Sequence, residues 1–169
     1  NEYKTHQFGN LKIREIIIKS SNIGMAKMGQ KMGKQTLYDG LKKFGFGATT
    51  GIELPGEVEG ILRPLNKWSG YSITRIPYGY EINVTSMQML RAYCILANGG
   101  RLVQPYLVKA IIDNDGDVVQ IKHPMPPVGH IIKPEVAKWI ISDVMVGVVN
   151  EKNNGGTGWR AKLDKWQVF

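Results

Sequence analysis

Cysteine is almost missing from this sequence of 169 residues, which contains one cysteine, Cys94, and three histidines. A single cysteine excludes an internal disulfide, and its helical apolar surroundings favour a small buried hydrophobic side chain over a nucleophile. The histidines lack the spacing of metal ligands, and no CxxC or HExxH motif occurs. The sequence therefore predicts no metal site.

Long apolar runs are missing as well. The longest ones, such as residues 144–149, are short, whereas a membrane-spanning helix needs about 20 residues. No signal peptide is evident. The chain does not begin with Met, and it ends within an apolar stretch at residues 166–169. Because natural termini usually lie in exposed polar segments, we expect an internal piece of a longer protein.

Acidic residues are scarce relative to basic ones, with 14 Asp and Glu against 22 Lys and Arg, and the formal net charge is +8. Most of this excess lies in residues 1–45. A basic surface can bind nucleic acid, an anionic membrane or an acidic substrate. Here the basic residues do not alternate with aromatic ones as in a nucleic-acid platform. We therefore expect a solvated helix face and no nucleic-acid partner.

Two glycine-rich stretches lack the spacing of nucleotide-binding motifs. Residues 24–29 have the spacing GxxxxG, but Gln30 follows where a phosphate-binding loop needs Lys. Residues 45–51 do not match GxGxxG, and they follow a predicted helix instead of a strand. Neither stretch is interpreted as a phosphate site, and the sequence predicts no bound cofactor.

Apolar residues at three- and four-residue spacing predict five helices, over residues 11–20, 23–32, 35–44, 85–99 and 134–149. Ser21 and Asn22 supply the capping chemistry that begins the second helix, and Thr85 and Gln88 form a capping box for the fourth. In the fourth helix, apolar residues repeat on one face, formed by Met87, Leu90, Cys94 and Ala97.

The second half of the chain also contains strand patterns. Residues 102–112 and 117–121 are predicted to form a hairpin, because the polar turn between them ends in glycine. Residues 165–169 are expected to begin another strand. The segment 51–83 is rich in Pro and Gly and is expected to be irregular, with its aromatic side chains packed on the body of the protein.

Ser20 and Asn22 lie between the first two predicted helices. A Ser-x-Asn pair by itself is typical of helix caps. Together with Ser-x-x-Lys and Lys-Thr-Gly, the same pair marks the penicillin-recognising serine acyltransferases. Only the middle motif occurs here, since no serine has Lys three residues later and the Lys-Thr pair at residues 4–5 is followed by His.

A series of short segments in a defined order carries a more specific resemblance. They are residues 16–24, 44–47, 50–57, 79–85, 87–89, 97–100 and 103–105. With these segments, the chain from Ile13 onward resembles the transpeptidase domain of class B penicillin-binding proteins. It departs from that family at Ser86, where the family commonly has Pro, and in the stretch near Tyr78.

The resemblance implies an α+β fold that is part of a penicillin-binding-protein transpeptidase domain, which is beta-lactamase-like. It implies that residues 1–169 form a single partial domain, with the helical subdomain, a sheet-side hairpin and the long helix under the sheet. The nucleophile motif would precede Ser20, and the Lys-Thr-Gly strand would follow Phe169. The chain alone is therefore expected to be inactive.

The resemblance also implies a bacterial serine-type D,D-transpeptidase that crosslinks peptidoglycan during cell division or elongation. Its partners would be the D-Ala-D-Ala end of a stem peptide, beta-lactams and the membrane-bound cell-wall synthesis machinery, on the extracytoplasmic face of the cytoplasmic membrane. Ser20 would relay a proton between the catalytic lysine and the reacting nitrogen, and Asn22 would hold the substrate amide. The alternatives are a beta-lactam sensor or beta-lactamase on the same fold, and a non-catalytic cell-wall scaffold.

Overall fold

The computed structural model, which describes residues 8–123, 128–166 and 168, contains helices and short antiparallel strands. The α-helices are α1 (Ile13–Ile18), α2 (Asn22–Met32), α3 (Lys34–Lys43), α4 (Ser72–Arg75), α5 (Ser86–Ala97), α6 (Pro134–Trp139) and α7 (Val146–Asn150). A π-helical segment, Ile140–Met145, connects α6 to α7. The mixed helix and strand content confirms the predicted α+β class.

The predicted helix boundaries agree closely with α2, α3 and α5, because local signals set them. Ser21 caps α2, and Gly33, with φ of +81°, ends it. Thr85 and Gln88 form the predicted capping box of α5. The first helix is shorter than predicted, since Leu11 and Lys12 precede α1 and Lys19 ends it.

The buried face of α5 differs from the apolar face seen in the sequence. Gln88, Arg91 and Ile95 are buried, whereas Leu90 is 57% exposed and Cys94 is only half-buried. The two polar side chains are buried because each donates hydrogen bonds to backbone carbonyls of the segment that connects α3 to β1. The hydrogen bonds to these carbonyls, and not the apolar pattern of the sequence, thus determine which face of α5 is buried.

The helix predicted over residues 134–149 consists of α6, the π-helical segment and α7, which we call the long helix. Its apolar side chains Ala137, Val144 and Val149 are buried. The long helix packs against α5 near its beginning and against α1 near its end. Ile16 and Ile18 are the buried residues that α1 contributes to this core.

The strands form three two-stranded antiparallel ribbons. Ile61–Leu62 (β1) pairs with Ile82–Asn83 (β2), Arg101–Leu102 (β3) with Val128–His130 (β6), and Ala110–Ile112 (β4) with Val118–Ile121 (β5). The predicted hairpin is confirmed as β4 and β5. The long first strand predicted over 102–112 is wrong, because its beginning pairs with β6 instead of continuing into the hairpin.

The remaining predictions concern the irregular segment and the end of the chain. The segment 51–83 is less irregular than expected, since it contains β1, α4, β2 and two 3₁₀ turns, Leu65–Lys67 and Ile76–Tyr78. Residues 165 and 166 are not in a strand, and Gln167 and Phe169 lie outside the described residues. None of the helices in the described part of the chain is long and apolar enough to cross a membrane.

Candidate active site

The turn between α1 and α2 holds Ser20 in an unusual backbone conformation. Its φ is +51°, in the left-handed region, which costs a non-glycine residue roughly 1–2 kcal/mol. The backbone N–H of Ser20 donates to Ile17 O at 3.0 Å, and that of Ser21 donates to Ile16 O at 2.9 Å. A tight reversal at the end of α1 therefore leaves Ser20 exposed to solvent.

The three residues of the Ser20-Ser21-Asn22 segment have different surroundings. Ser21 is 2% exposed, and its Oγ accepts a hydrogen bond from the Gly24 N–H at 3.0 Å, as predicted for a cap. Asn22 is the first residue of α2 and is half-buried. Within the described residues, the side chains of Ser20 and Asn22 make no hydrogen bond to protein. A hydroxyl and a carboxamide are therefore free to bind a ligand on this turn.

Close packing fixes the angle between α1 and α2. A Cβ atom at Gly24 would lie 2.7 Å from Cγ2 of Ile16, a residue buried in the core. A larger residue at position 24 would therefore push the two helices apart. Gly29, further along α2, is buried against Pro77 in the same way.

The loop after α7 contacts the end of α1, directly before the turn that carries Ser20. Thr157 donates to the carbonyl oxygen of Ile18 through both its backbone N–H, at 3.3 Å, and its hydroxyl, at 3.4 Å. A Cβ atom on Gly155 would lie 3.2 Å from Cγ of Lys19, so the side-chain stem of Lys19 lies over this loop. Residues that are far apart in the sequence, 18–19 and 155–157, thus meet at the turn that carries Ser20.

An ion-pair cluster links the beginning of α1 to the long helix. Arg14 Nε donates to Asp143 Oδ1 at 2.9 Å, Arg14 Nη1 donates to Glu151 Oε2 at 3.1 Å, and Arg14 Nη2 forms a second, shorter contact with Glu151. The Glu151 contact, assisted by Asp143, raises the pKa of Arg14 above its usual value. The hydrogen bond from Arg14 likewise lowers the pKa of Glu151. Sequence patterns did not identify this cluster, because Arg14 lies more than a hundred residues from the two acidic residues and all three resemble ordinary surface charges.

A cleft of about 260 Å³ lies in another part of the molecule. Residues that line it include Glu53, Gln104 and Lys122, and the lining contains neither Ser20 nor Asn22. The carboxylate of Glu53 forms an ion pair with Lys122 that, with backbone N–H donors, holds the pKa of Glu53 below its usual value. The two charged side chains of the cleft are thus paired with each other, and the cleft is separate from the Ser20 turn.

The part of the chain that the structure describes contains no group of three or more His, Cys, Asp or Glu side chains arranged to hold a metal ion. The turn itself presents two neutral polar side chains, the hydroxyl of Ser20 and the carboxamide of Asn22. A hydroxyl can donate and accept at once, and a carboxamide can hold an amide without adding charge.

Comparison with known proteins identifies the family. Residues 1–168 match the model of the penicillin-binding protein transpeptidase domain. Penicillin-binding protein PbpB of Mycolicibacterium smegmatis is 36% identical over 153 residues, which is 89% of this chain and 23% of that protein. Probable peptidoglycan D,D-transpeptidase PenA of Neisseria meningitidis is 29% identical over 164 residues, covering 97% of this chain and 26% of that protein.

A solved structure agrees with these sequence relatives. Penicillin-binding protein 3 of Mycobacterium tuberculosis, complexed with aztreonam, superposes with a TM-score of 0.81 and 30% identity, over 90% of this chain and 34% of that one. The chain thus spans about a quarter of the length of the two sequence relatives. It belongs to the penicillin-binding protein transpeptidase domain family, as the resemblance to class B members predicted.

Proposed function

We propose that this chain is part of a serine-type D,D-transpeptidase that crosslinks peptidoglycan stem peptides, with Ser20 and Asn22 as residues of its active site. The observation that carries the proposal is the conformation of the turn. The side chains of Ser20 and Asn22 make no hydrogen bond within the part of the chain that the structure describes, while Ser21 caps α2. Family membership supports it, since the Neisseria meningitidis relative is named a probable peptidoglycan D,D-transpeptidase.

The reaction has two steps, which is the general logic of covalent catalysis. A serine outside residues 1–169 attacks the penultimate D-alanine carbonyl of a stem peptide and releases the terminal D-alanine. An amine from a neighbouring strand then takes the acyl group from the serine. In this scheme the Ser20 hydroxyl relays a proton between the catalytic lysine and the leaving or attacking nitrogen, and the Asn22 carboxamide holds the substrate amide.

The left-handed backbone of Ser20 fits such a role. Strained residues persist where the surrounding structure over-determines them, and they are concentrated at active sites. Here the supports are the α1–α2 contact at Gly24 and the hydrogen bonds from Thr157 to Ile18. These contacts hold Ser20 in its left-handed conformation on an exposed turn, where a substrate can reach it.

The proposal includes partners and location. Beta-lactams mimic the D-Ala-D-Ala end of the stem peptide, and the Mycobacterium tuberculosis protein was crystallised with aztreonam. The full protein would act on the extracytoplasmic face of the bacterial cytoplasmic membrane with the cell-wall synthesis machinery. Residues 1–169 would then form a partial domain, with the nucleophile motif before Ser20 and Lys-Thr-Gly after Phe169.

The test uses the full-length protein that contains this chain. Incubation with a fluorescent penicillin should give a long-lived covalent adduct, and a stem peptide ending in D-Ala-D-Ala should release D-alanine. The 169-residue chain alone is the control and should give no adduct in intact-mass spectrometry, because it contains no Ser-x-x-Lys. Rapid hydrolysis of penicillin would identify a beta-lactamase, an adduct without D-alanine release would favour a sensor, and the absence of any adduct would favour a scaffold.

A further inference from the structure

We propose that Arg14 is a positioning residue for the Ser20 turn, and that it acts by fixing α1 against the long helix. The inference rests on the proposed function of Ser20. The Arg14 guanidinium contacts Asp143 within the long helix and Glu151 directly after it. Arg14 Nε donates to Asp143 Oδ1 at 2.9 Å and Nη2 donates to the Asp143 backbone carbonyl at 3.2 Å, while Nη1 donates to Glu151 at 3.1 Å.

The fork geometry of the arginine is what makes this link rigid. A guanidinium presents planar N–H donors that hold two acceptors in fixed directions, which a lysine ammonium does not do. Asp143 lies in the π-helical segment and Glu151 follows α7, so Arg14 spans two turns of the long helix. The rotation of α1 about its own axis is thereby fixed.

The helices are in direct contact beneath this link. A Cβ atom at Gly147 would lie 2.5 Å from Cδ1 of Ile18 and 2.9 Å from Nη2 of Arg14. Gly147 is itself buried. The space between α1 and α7 is therefore filled, and a displacement of Arg14 cannot be absorbed by a gap.

Helix α1 depends on these external contacts because it has only six residues. Isolated helices of this length are unstable in water. Its first turn is attached through Arg14, and its last residue, Ile18, accepts the two hydrogen bonds from Thr157. Both ends of α1 are thus attached to the long helix or to the loop after it.

Ser20 follows two residues after the end of α1. A change in the rotation or tilt of α1 therefore moves the Ser20 hydroxyl directly. Because the backbone at Ser20 is left-handed, its conformation persists only while its neighbours hold it. The ion-pair cluster thus transmits the position of the long helix to the proposed proton relay. Small displacements of catalytic groups have large effects on rate.

A purely structural role predicts a different outcome. The three side chains of the cluster are partly exposed, at 28% for Arg14, 46% for Asp143 and 31% for Glu151. Ion pairs with this exposure contribute little to stability. If the cluster only stabilised the fold, its loss would lower the melting temperature slightly and leave the acylation rate unchanged.

The experiment is a double-mutant cycle in the full-length protein, read out as the rate constant for acylation by fluorescent penicillin. Arg14→Met keeps most of the side-chain stem and removes the fork. It should slow acylation about tenfold in the wild-type background, but less than about twofold in the Ser20→Ala background, because residues that act as a unit are not additive. Arg14→Lys should recover part of the rate.

Two further variants keep the test decisive. Glu151→Gln retains a hydrogen-bond acceptor and should slow acylation by about threefold even where Arg14→Met fails to fold. Arg63→Met removes another ion pair, with Glu81, on a different part of the surface, and should leave the acylation rate unchanged. The melting temperature of each variant identifies changes that act through unfolding.

The outcomes separate this inference from the function on which it rests. Wild-type acylation by Ser20→Ala overturns the proposed role of Ser20 and the inference with it. Slow acylation by Ser20→Ala, combined with wild-type rates in Arg14→Met and Glu151→Gln, overturns only the positioning role. Equal slowing by Arg14→Met in the wild-type and Ser20→Ala backgrounds would also overturn only the positioning role.

Discussion

Glu57 accepts two hydrogen bonds from Thr50, one from its backbone N–H at 2.6 Å and one from its hydroxyl at 2.5 Å. The carbonyl of Thr50 in turn accepts from the buried side chain of Arg91 and from Gln104, at 3.3 and 2.9 Å. This connected set ties the segment between α3 and β1 to α5. Substitutions in this network should therefore change the stability of the fold.

The first prediction concerns acid. Hydrogen bonds from Thr50 hold the pKa of Glu57 below its usual value, and the bond from the Thr50 hydroxyl has the largest effect. A lowered folded-state pKa gives stability that is present above the unfolded pKa of about 4.3 and is lost as the pH falls through the folded-state pKa. Glu57→Gln should therefore reduce the loss of unfolding free energy between pH 5 and pH 3, measured by urea titration of the full-length protein. Glu59→Gln is the control, since the Glu59 side chain is exposed. The prediction is contradicted if the unfolding free energy of wild type and of Glu57→Gln falls equally between pH 5 and pH 3.

The second prediction concerns Gln88, which is fully buried on α5. Its Nε2 donates to Ala48 O and Glu59 O, each at 2.8 Å, and its Oε1 accepts from the Thr85 N–H at 2.9 Å. Gln88→Leu leaves these backbone groups without a partner and should lower the free energy of unfolding by at least about 2 kcal/mol. Gln30→Leu, on the exposed face of α2, should change it by less than about 0.5 kcal/mol. Similar effects in the two variants would show that the Gln88 hydrogen bonds contribute little.

The third prediction separates neighbouring serines. Ser21→Ala removes a helix cap and should cost about 1 kcal/mol of unfolding free energy. Since its hydroxyl is turned into the cap, the acylation rate of the folded variant should stay within about threefold of wild type. A rate loss as large as that of Ser20→Ala would contradict the assignment of Ser21 to the cap.

The fourth prediction uses the strain at Ser20. Ser20→Gly relieves the left-handed conformation, which costs about 1–2 kcal/mol, but adds about 0.5–1 kcal/mol of backbone entropy to the unfolded state. The net result should be a rise in unfolding free energy of up to about 1 kcal/mol, together with slow acylation. Thermal unfolding and penicillin labelling on the same samples check both effects, and a destabilised variant would contradict the strain.

Capping and turn residues in the sequence predicted the elements whose ends depend on neighbouring residues. Helix α5 begins at its capping box, and the β4–β5 hairpin forms at a polar turn that ends in glycine. The pairing of β3 with β6 was not predictable in this way, because the partner strands are separated by more than twenty residues. The buried face of α5 was also missed, since Gln88 and Arg91 are buried by carbonyls far away in the chain.

The site shows the same division. Ser20 and Asn22 were predicted as site residues because the order of several short motifs resembles a family, and this remains a prediction. The supports of the turn were not identified, since Arg14 on α1 and the two acidic residues at the long helix look like ordinary surface charges. Only folding brings them within hydrogen-bond distance. Periodicity describes which face of a helix is apolar, but it contains no information about which charged residue will meet another one over a hundred residues away.

The most direct measurement is the rate constant for acylation of the full-length protein by a fluorescent penicillin in Ser20→Ala and Asn22→Ala. Both variants should retain the wild-type fold, since neither side chain makes a hydrogen bond within the described residues. Each should slow acylation at least about tenfold, or roughly 1.4 kcal/mol on the activation barrier. Wild-type rates in both variants would remove Ser20 and Asn22 from the mechanism.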